Sequence, residues 1–443
     1  MGLFDRLFGG NVSDAAQPKI SFGRYTDSYK SSEQYDAWDR SLEKFEAEAY
    51  LESYKEFFTY LRDEDEDNVI FREEKGGIHF ELYQGSKKII GFADHRKVRV
   101  EAPIAHSEEL NLGFMRRLIE NNFDLKYGRF ALDKDNTITI RFDTYTIDGS
   151  PYKLYYALKE AATHADKQDD LLLDEFGMLE PVETKHLRAL PQAEKEAKYN
   201  YIISEAKWAI DQLQHGKLNA DQYPGGIAYL LLNVSYKLDY LTKPEGFMME
   251  SLERLHRLYF AKDNKAIREK IANVRKEYEQ LIDRPKEEYF KEMYLVRSTF
   301  GITSPVNHDR VKSFIDGELP NMDWYKENGY DDVALSVPGY IVGYCLFNYA
   351  IPQPDRDFFH LYYHVVEADY FKSLGYTTNL YNQEQKTFNK KGIKKAIKSI
   401  VDKNKKVYPN LSPAISSLDY TTCLLYTSPS PRDATLSRMP SSA

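Results

Sequence analysis

The chain has 443 residues, 69 acidic and 60 basic side chains and a formal net charge of −9, a mild acidity that gives no global case for a nucleic-acid partner. Its longest apolar-leaning stretch, around Val337–Ala350, is interrupted by Gly339, Gly343 and Asn348 and is too short to span a bilayer. The length predicts two or three domains, and Cys345, the one cysteine before the segment 423–443, cannot build a disulfide framework, which favours a reducing, cytoplasmic setting.

Residues 1–40 read as a polar leader rich in Gly, Ser, Asp and Gln. Its first ten residues, MGLFDRLFGG, lack the basic start and long apolar core of a signal peptide. Leu3, Phe4, Leu7 and Phe8 would form one apolar helical turn, docked on the chain's own core or on a membrane or partner. A helix is predicted over 41–62, with Tyr54, Phe57, Phe58 and Leu61 on one face. The five acids Asp63–Asp67 read as a solvated turn.

Strands follow. Val69–Arg72 is short and β-prone. Ile78, Phe80 and Leu82 alternate with His79 and Glu81, the period of a half-buried strand. Ile89–Phe92 and Val98–Val100 continue the sheet. Ser107 is the expected cap of a helix whose Leu110, Phe114 and Leu118 share a face. Phe130 and Leu132 form a strand, Asp133–Asn136 a turn, and Ile138, Ile140 and Phe142 the return strand. Asp148-Gly149 ends it. Ser150 caps a helix opened by Pro151, where a missing N–H costs nothing, and Leu154, Leu158, Ala161 and Ala165 line its buried face.

Helix, antiparallel strands, helix, hairpin, helix is the order of an α+β domain with helices flanking a sheet. Over residues 41–176 this order, and the hairpin–Asp-Gly-Ser-Pro–helix string from Gly128 to Phe176, resemble the YbjN-like and type III secretion chaperone-like superfamily. The resemblance implies a small non-enzymatic bacterial module that binds extended peptide segments of client proteins, often as a homodimer and with no cofactor. Phe130, Thr139, Arg141 and Tyr155 are the side chains it points to for peptide binding.

Beyond the domain the pattern turns helical. Over 188–300, Tyr199, Ile202, Ala206, Ile210 and Leu213 form one stripe, and Gly225–Leu241 is a strongly apolar helix. Ile267, Ile271, Val274, Tyr278, Leu281 and Ile282 form another stripe with charges opposite. No fixed repeat period appears, so an irregular bundle is expected before a repeat array. Residues 301–422 read as a further helical module, broken by Pro305, Pro320, Pro338, Pro352 and Pro354. It is dense in aromatics such as Trp324, Tyr340, Tyr344 and Phe347.

Chemistry-bearing constellations are sparse. His360, His364 and Glu367 are spaced for one helical face and could hold zinc or iron, the basis of an alternative metal-dependent enzyme. Leu361 stands where a metalloprotease helix has its glutamate, and a polar stripe is the preferred reading. Cys345 sits in an apolar helix and should behave as a small core residue. Lys386–Lys406 is lysine-rich, with Ile393, Ile397, Ile400 and Val401 forming an apolar face. Such a helix docks on its own core, or binds acidic lipid, nucleic acid or an acidic partner, the basis of a scaffold alternative. Cys423–Ala443, CLLYTSPSPRDATLSRMPSSA, resembles a sequencing adapter translated in one frame and is expected to be non-native.

Overall fold

The computed structural model describes residues 18–109, 112–182, 184–382 and 384–413, which divide into two compact units. One comprises residues 25–189 together with 294–302. The other comprises 18–24, 190–293 and 303–413. The expectations for Leu3–Phe8, Leu110 and Cys423–Ala443 fall outside the described residues.

The first unit is α+β. It opens with helices α1 (Ser32–Glu46) and α2 (Tyr50–Leu61). Strands β1 (Val69–Glu74), β2 (Gly77–Gln84), β3 (Lys87–Ala93) and β4 (Lys97–Ser107) follow. Helix α3 (Leu112–Asn121) precedes the hairpin of β5 (Arg129–Leu132) and β6 (Thr137–Tyr145). Helix α4 (Pro151–Glu175) and the short β7 (Leu179–Pro181) complete it. The sheet is antiparallel throughout, in the order β1-β2-β3-β4-β6-β5, with β7 beside the end of β4.

The strands form where alternation requires them. In β2, Ile78, Phe80 and Leu82 are fully buried while His79 and Glu81 are half-buried. In β6, Ile138, Ile140 and Phe142 point inward. The hairpin is tied by Asp133, whose carboxylate accepts the amides of Asp135 and Thr137 at 2.8 Å each. Ser150 accepts the Lys153 amide at 3.3 Å and caps α4. That helix packs over β2, β3, β4 and β6 through Leu154, Leu158, Ala161 and Ala165.

Three local expectations need correction. The predicted 41–62 helix is two helices, broken at Ala47–Ala49, where Glu48 takes φ 61°. The first begins nine residues early, fixed by a capping box between Ser31 and Gln34. Ser107 does not cap α3: it ends β4 and donates to the Glu109 carbonyl at 2.6 Å.

The second unit is mainly α-helical. Its helices are α5 (Gln192–His215), α6 (Pro224–Thr242), α7 (Gly246–Phe260), α8 (Ile267–Asp283) and α9 (Lys286–Lys291). They continue with α10 (His308–Glu318), α11 (Asn321–Glu327), α12 (Asp331–Asn348), α13 (Gln353–Val366), α14 (Ala368–Ser373) and α15 (Lys390–Asn404). Two-residue ladders pair Ser304–Pro305 with Tyr349–Ala350 (β8, β9) and Tyr381–Asn382 with Thr387–Phe388 (β10, β11).

Residues 190–293 and 303–413, which fall in the regions 188–300 and 301–422 read from sequence, belong to one unit with a common core. The reason lies at the α6–α12 contact. A Cβ at Gly339 would come within 2.1 Å of Asn233, and one at Gly343 within 2.5 Å of Tyr236. Two glycines one turn apart thus let the helices approach more closely than alanines could. The polar leader is packed where described. Phe22 is buried, and Arg24 pairs with Asp239 at 2.8 Å while its guanidinium lies 3.9 Å from the Phe347 ring centroid. Among the described residues, no helix is long and apolar enough to cross a membrane.

Candidate peptide-binding site

The chain enters the α+β unit twice, and its second visit is the informative one. Residues 294–302, YLVRSTFGI, have no helical or strand assignment beyond isolated bridges, yet Val296 to Gly301 are all buried. A buried irregular backbone must find partners for its amides and carbonyls. The unit supplies them one by one.

Gly85 donates its amide to the Arg297 carbonyl at 3.0 Å, and Leu295 donates to the Arg188 carbonyl at 2.7 Å. The Asn68 side-chain amide donates to the Ser298 carbonyl at 3.2 Å. The Gln84 side-chain oxygen accepts both the Thr299 amide (3.2 Å) and the Phe300 amide (3.0 Å). Asn68 is itself fixed, accepting the Asp63 amide at 2.8 Å and donating to the Leu61 carbonyl at 3.2 Å. The two side chains that bond the segment's backbone therefore stand where β1 begins and where β2 ends.

Three side chains of the segment also have defined seats. The Arg297 guanidinium lies 3.4 Å from the Tyr83 ring centroid, a cation–π contact, and Nη1 donates to the Asp67 carbonyl at 3.3 Å. The Thr299 hydroxyl donates to the Tyr83 carbonyl at 2.8 Å. Phe300 is 1% exposed and meets the Tyr155 ring edge-on, with centroids 5.7 Å apart. Gly301 packs so close to Asp27 that a Cβ would fall 2.8 Å from its carboxylate. On the other side Gly85, at φ +53°, leaves room for Asp166, which accepts the Ser86 amide at 2.8 Å and shapes the turn.

Of the four side chains indicated by the resemblance, Tyr155 lies at this site. Its hydroxyl donates to Asp27 at 2.7 Å, and burial, reinforced by the neighbouring Asp27 charge, holds its pKa far above the usual phenol range. Phe130 and Thr139 are buried within the sheet, at 8% and 0% exposure. Arg141 lies opposite Glu101 and pairs with it at 2.9 Å. Beside it Arg129 pairs with Asp143 at 2.6 Å, so this outer face of β4, β5 and β6 is a charged ladder away from the segment. Asn68, Gln84 and Arg297–Gly301 had not been singled out from sequence. The β-prone run Val296, Ser298, Thr299, Phe300, stranded between a helical stripe and a proline-rich region, was the available signal.

The histidine constellation resolves into separate partnerships. His360 Nδ1 shares a hydrogen bond with the Tyr240 hydroxyl at 2.9 Å. His364 Nε2 donates to the Thr378 carbonyl at 3.2 Å, which fixes its tautomer, since a carbonyl only accepts. Glu367 lies beyond the end of α13 and pairs with Lys237 at 3.1 Å. Among the described residues, no group of three His, Cys, Asp or Glu is placed to hold a metal ion. Cys345 is buried, and burial pushes its thiol pKa up, which makes it a poor nucleophile.

His364 gives a pH prediction. Burial, partly offset by the bond to Thr378, lowers its pKa to about 4, against about 6.5 in an unfolded chain. Between these values the unfolded state takes up the proton first. The histidine's contribution is therefore complete above pH 6.5 and is lost as pH falls towards 4, a change of about 3 kcal/mol. The stability difference between the native chain and His364→Gln, measured by urea unfolding, should shrink by that amount from pH 7 to pH 4. A constant difference would show that the ring titrates normally.

The lysine-rich helix is α15. Ile393, Ile397 and Ile400 are buried, and Lys403 and Asn404 both reach the Asp357 carboxylate at 2.8 Å. It is docked on the core of its own unit, with most of its lysines on the exposed back.

No family model matches the chain, and no curated protein matches it significantly.

Proposed function

We propose that the α+β unit is a non-enzymatic peptide-binding module, through which the protein holds extended segments of client proteins. The observation that supports this most directly is the grip on residues 294–302. Main-chain groups are met by Asn68, Gln84 and Gly85, and the Arg297 and Phe300 side chains fall into seats at Tyr83 and Tyr155. Recognition of an extended peptide uses main-chain bonds for affinity and side-chain pockets for selection. The resemblance to secretion chaperone-like modules points the same way. In this reading residues 294–302 occupy the groove in cis, and a client presents a similar pattern: an arginine, then a small hydroxyl residue, then a phenylalanine followed by glycine.

The test uses the whole chain carrying Thr299→Ala and Phe300→Ala, which loosens the resident segment. A fluorescent peptide with the sequence of residues 294–302 should bind this variant at micromolar concentration and bind the native chain far more weakly. Adding Gln84→Ala to the variant should remove the binding. A variant that keeps its native circular dichroism yet fails to bind the peptide would dismiss the reading.

A further inference from the structure

The helical unit contains a cavity of about 270 Å³ between α5, α6, α12, α13 and the β10–β11 ladder. Its size is at the lower end of small-ligand sites. The walls are aromatic: Trp208, Tyr362, Tyr381 and Phe388. Pro338 and Val366 add apolar surface. The polar groups are few and placed. Glu367 and Asp332 contribute carboxylates, and Asn233 contributes an amide. Tyr363, 1% exposed, adds its ring to the wall.

The charge balance selects the ligand. Lys237 is the cavity's lone cation among the described lining residues, and it is already engaged. Its ammonium lies 2.6 Å from Glu205 and 3.1 Å from Glu367. It has little attraction left for an anion. The lining carboxylates outnumber it, and aromatic faces attract cations through their quadrupoles.

We infer that this cavity is a binding site for a small organic cation with an aromatic body, an arylalkylamine in chemical class. The ammonium group sits near Glu367 and Asp332, whose carboxylates accept its hydrogen bonds. The aryl body lies among Trp208, Tyr362 and Phe388. This site is independent of the peptide groove and does not rest on it.

Three near-isosteric probes separate charge from shape: 2-phenylethylamine, 2-phenylethanol and 3-phenylpropionate, each titrated calorimetrically into the full chain at pH 7. The amine should bind at least tenfold more tightly than the alcohol or the acid. Asp332→Asn, a change at an exposed position, should weaken the amine severalfold and leave the alcohol unchanged. Leu335→Trp, at a lining residue 42% exposed, should fill the mouth and abolish binding of the amine without disturbing the fold. No detectable binding of the amine, equal binding of the alcohol or acid, or amine binding indifferent to Leu335→Trp would each overturn the inference.

Discussion

Phe300→Ala should destabilise the protein by about 3–5 kcal/mol, the usual cost of deleting a buried phenyl group and leaving a cavity. The ring is 1% exposed and belongs to the core of the α+β unit, although it comes from a segment far along the chain. It packs edge-on against Tyr155, which in turn meets Trp38. Loss of the ring should also loosen residues 296–301. The amides of Gly85, Thr299 and Phe300 should then exchange with solvent orders of magnitude faster, because each is protected only while the segment is seated. Urea unfolding measures the first effect and hydrogen exchange the second. A loss below 1 kcal/mol would mean that the segment contributes little to the unit. Faster exchange with an unchanged core would mean that it can leave without unfolding its host, as a displaceable occupant must.

The second large effect is expected at Lys237. Its ammonium is almost fully buried between Glu205 and Glu367, with the rings of Tyr201 and Trp208 each 6.0 Å away. Burial alone would lower its pKa, but Glu367 and Glu205 outweigh burial and hold it raised. Lys237→Met removes the charge and keeps most of the volume. Two carboxylates then face each other in a poorly solvated site, and breaking a buried pair in this way costs about 3–5 kcal/mol. The loss should be largest at neutral pH. It should shrink on acidification, because the stranded carboxylates can be protonated. Replacing both Glu205 and Glu367 with Gln in the same chain should recover most of the stability. A single substitution costing less than 1 kcal/mol, or one not rescued by the glutamines, would show that water or another group carries the charge.

Local structure in this chain was written in short patterns. Alternation over Ile78–Leu82 and Ile138–Phe142 determined strands and their buried face, because strand side chains alternate with period two. Ser150-Pro151 determined where the long helix begins, because cap and first-turn chemistry act within four residues. The stripes of α5, α8 and α15 determined which sides of those helices face inward, except at Ile267, which is exposed at the start of α8. Even the missed start of α1 was legible in the Ser31–Gln34 capping box.

What only the tertiary structure decided involves residues far apart in sequence. Nothing near Arg297 or Phe300 indicates that residues 294–302 complete the core of a domain built from 25–189. Their partners Asn68, Tyr83 and Gln84 lie more than two hundred residues away. A buried extended segment has no period, since each residue answers to a different neighbour. The same holds for Lys237 with Glu205 and Glu367, and for Gly339 and Gly343 with the helix they admit. Charge pairing and close approach are properties of space, and the chain reveals them only once its elements are packed.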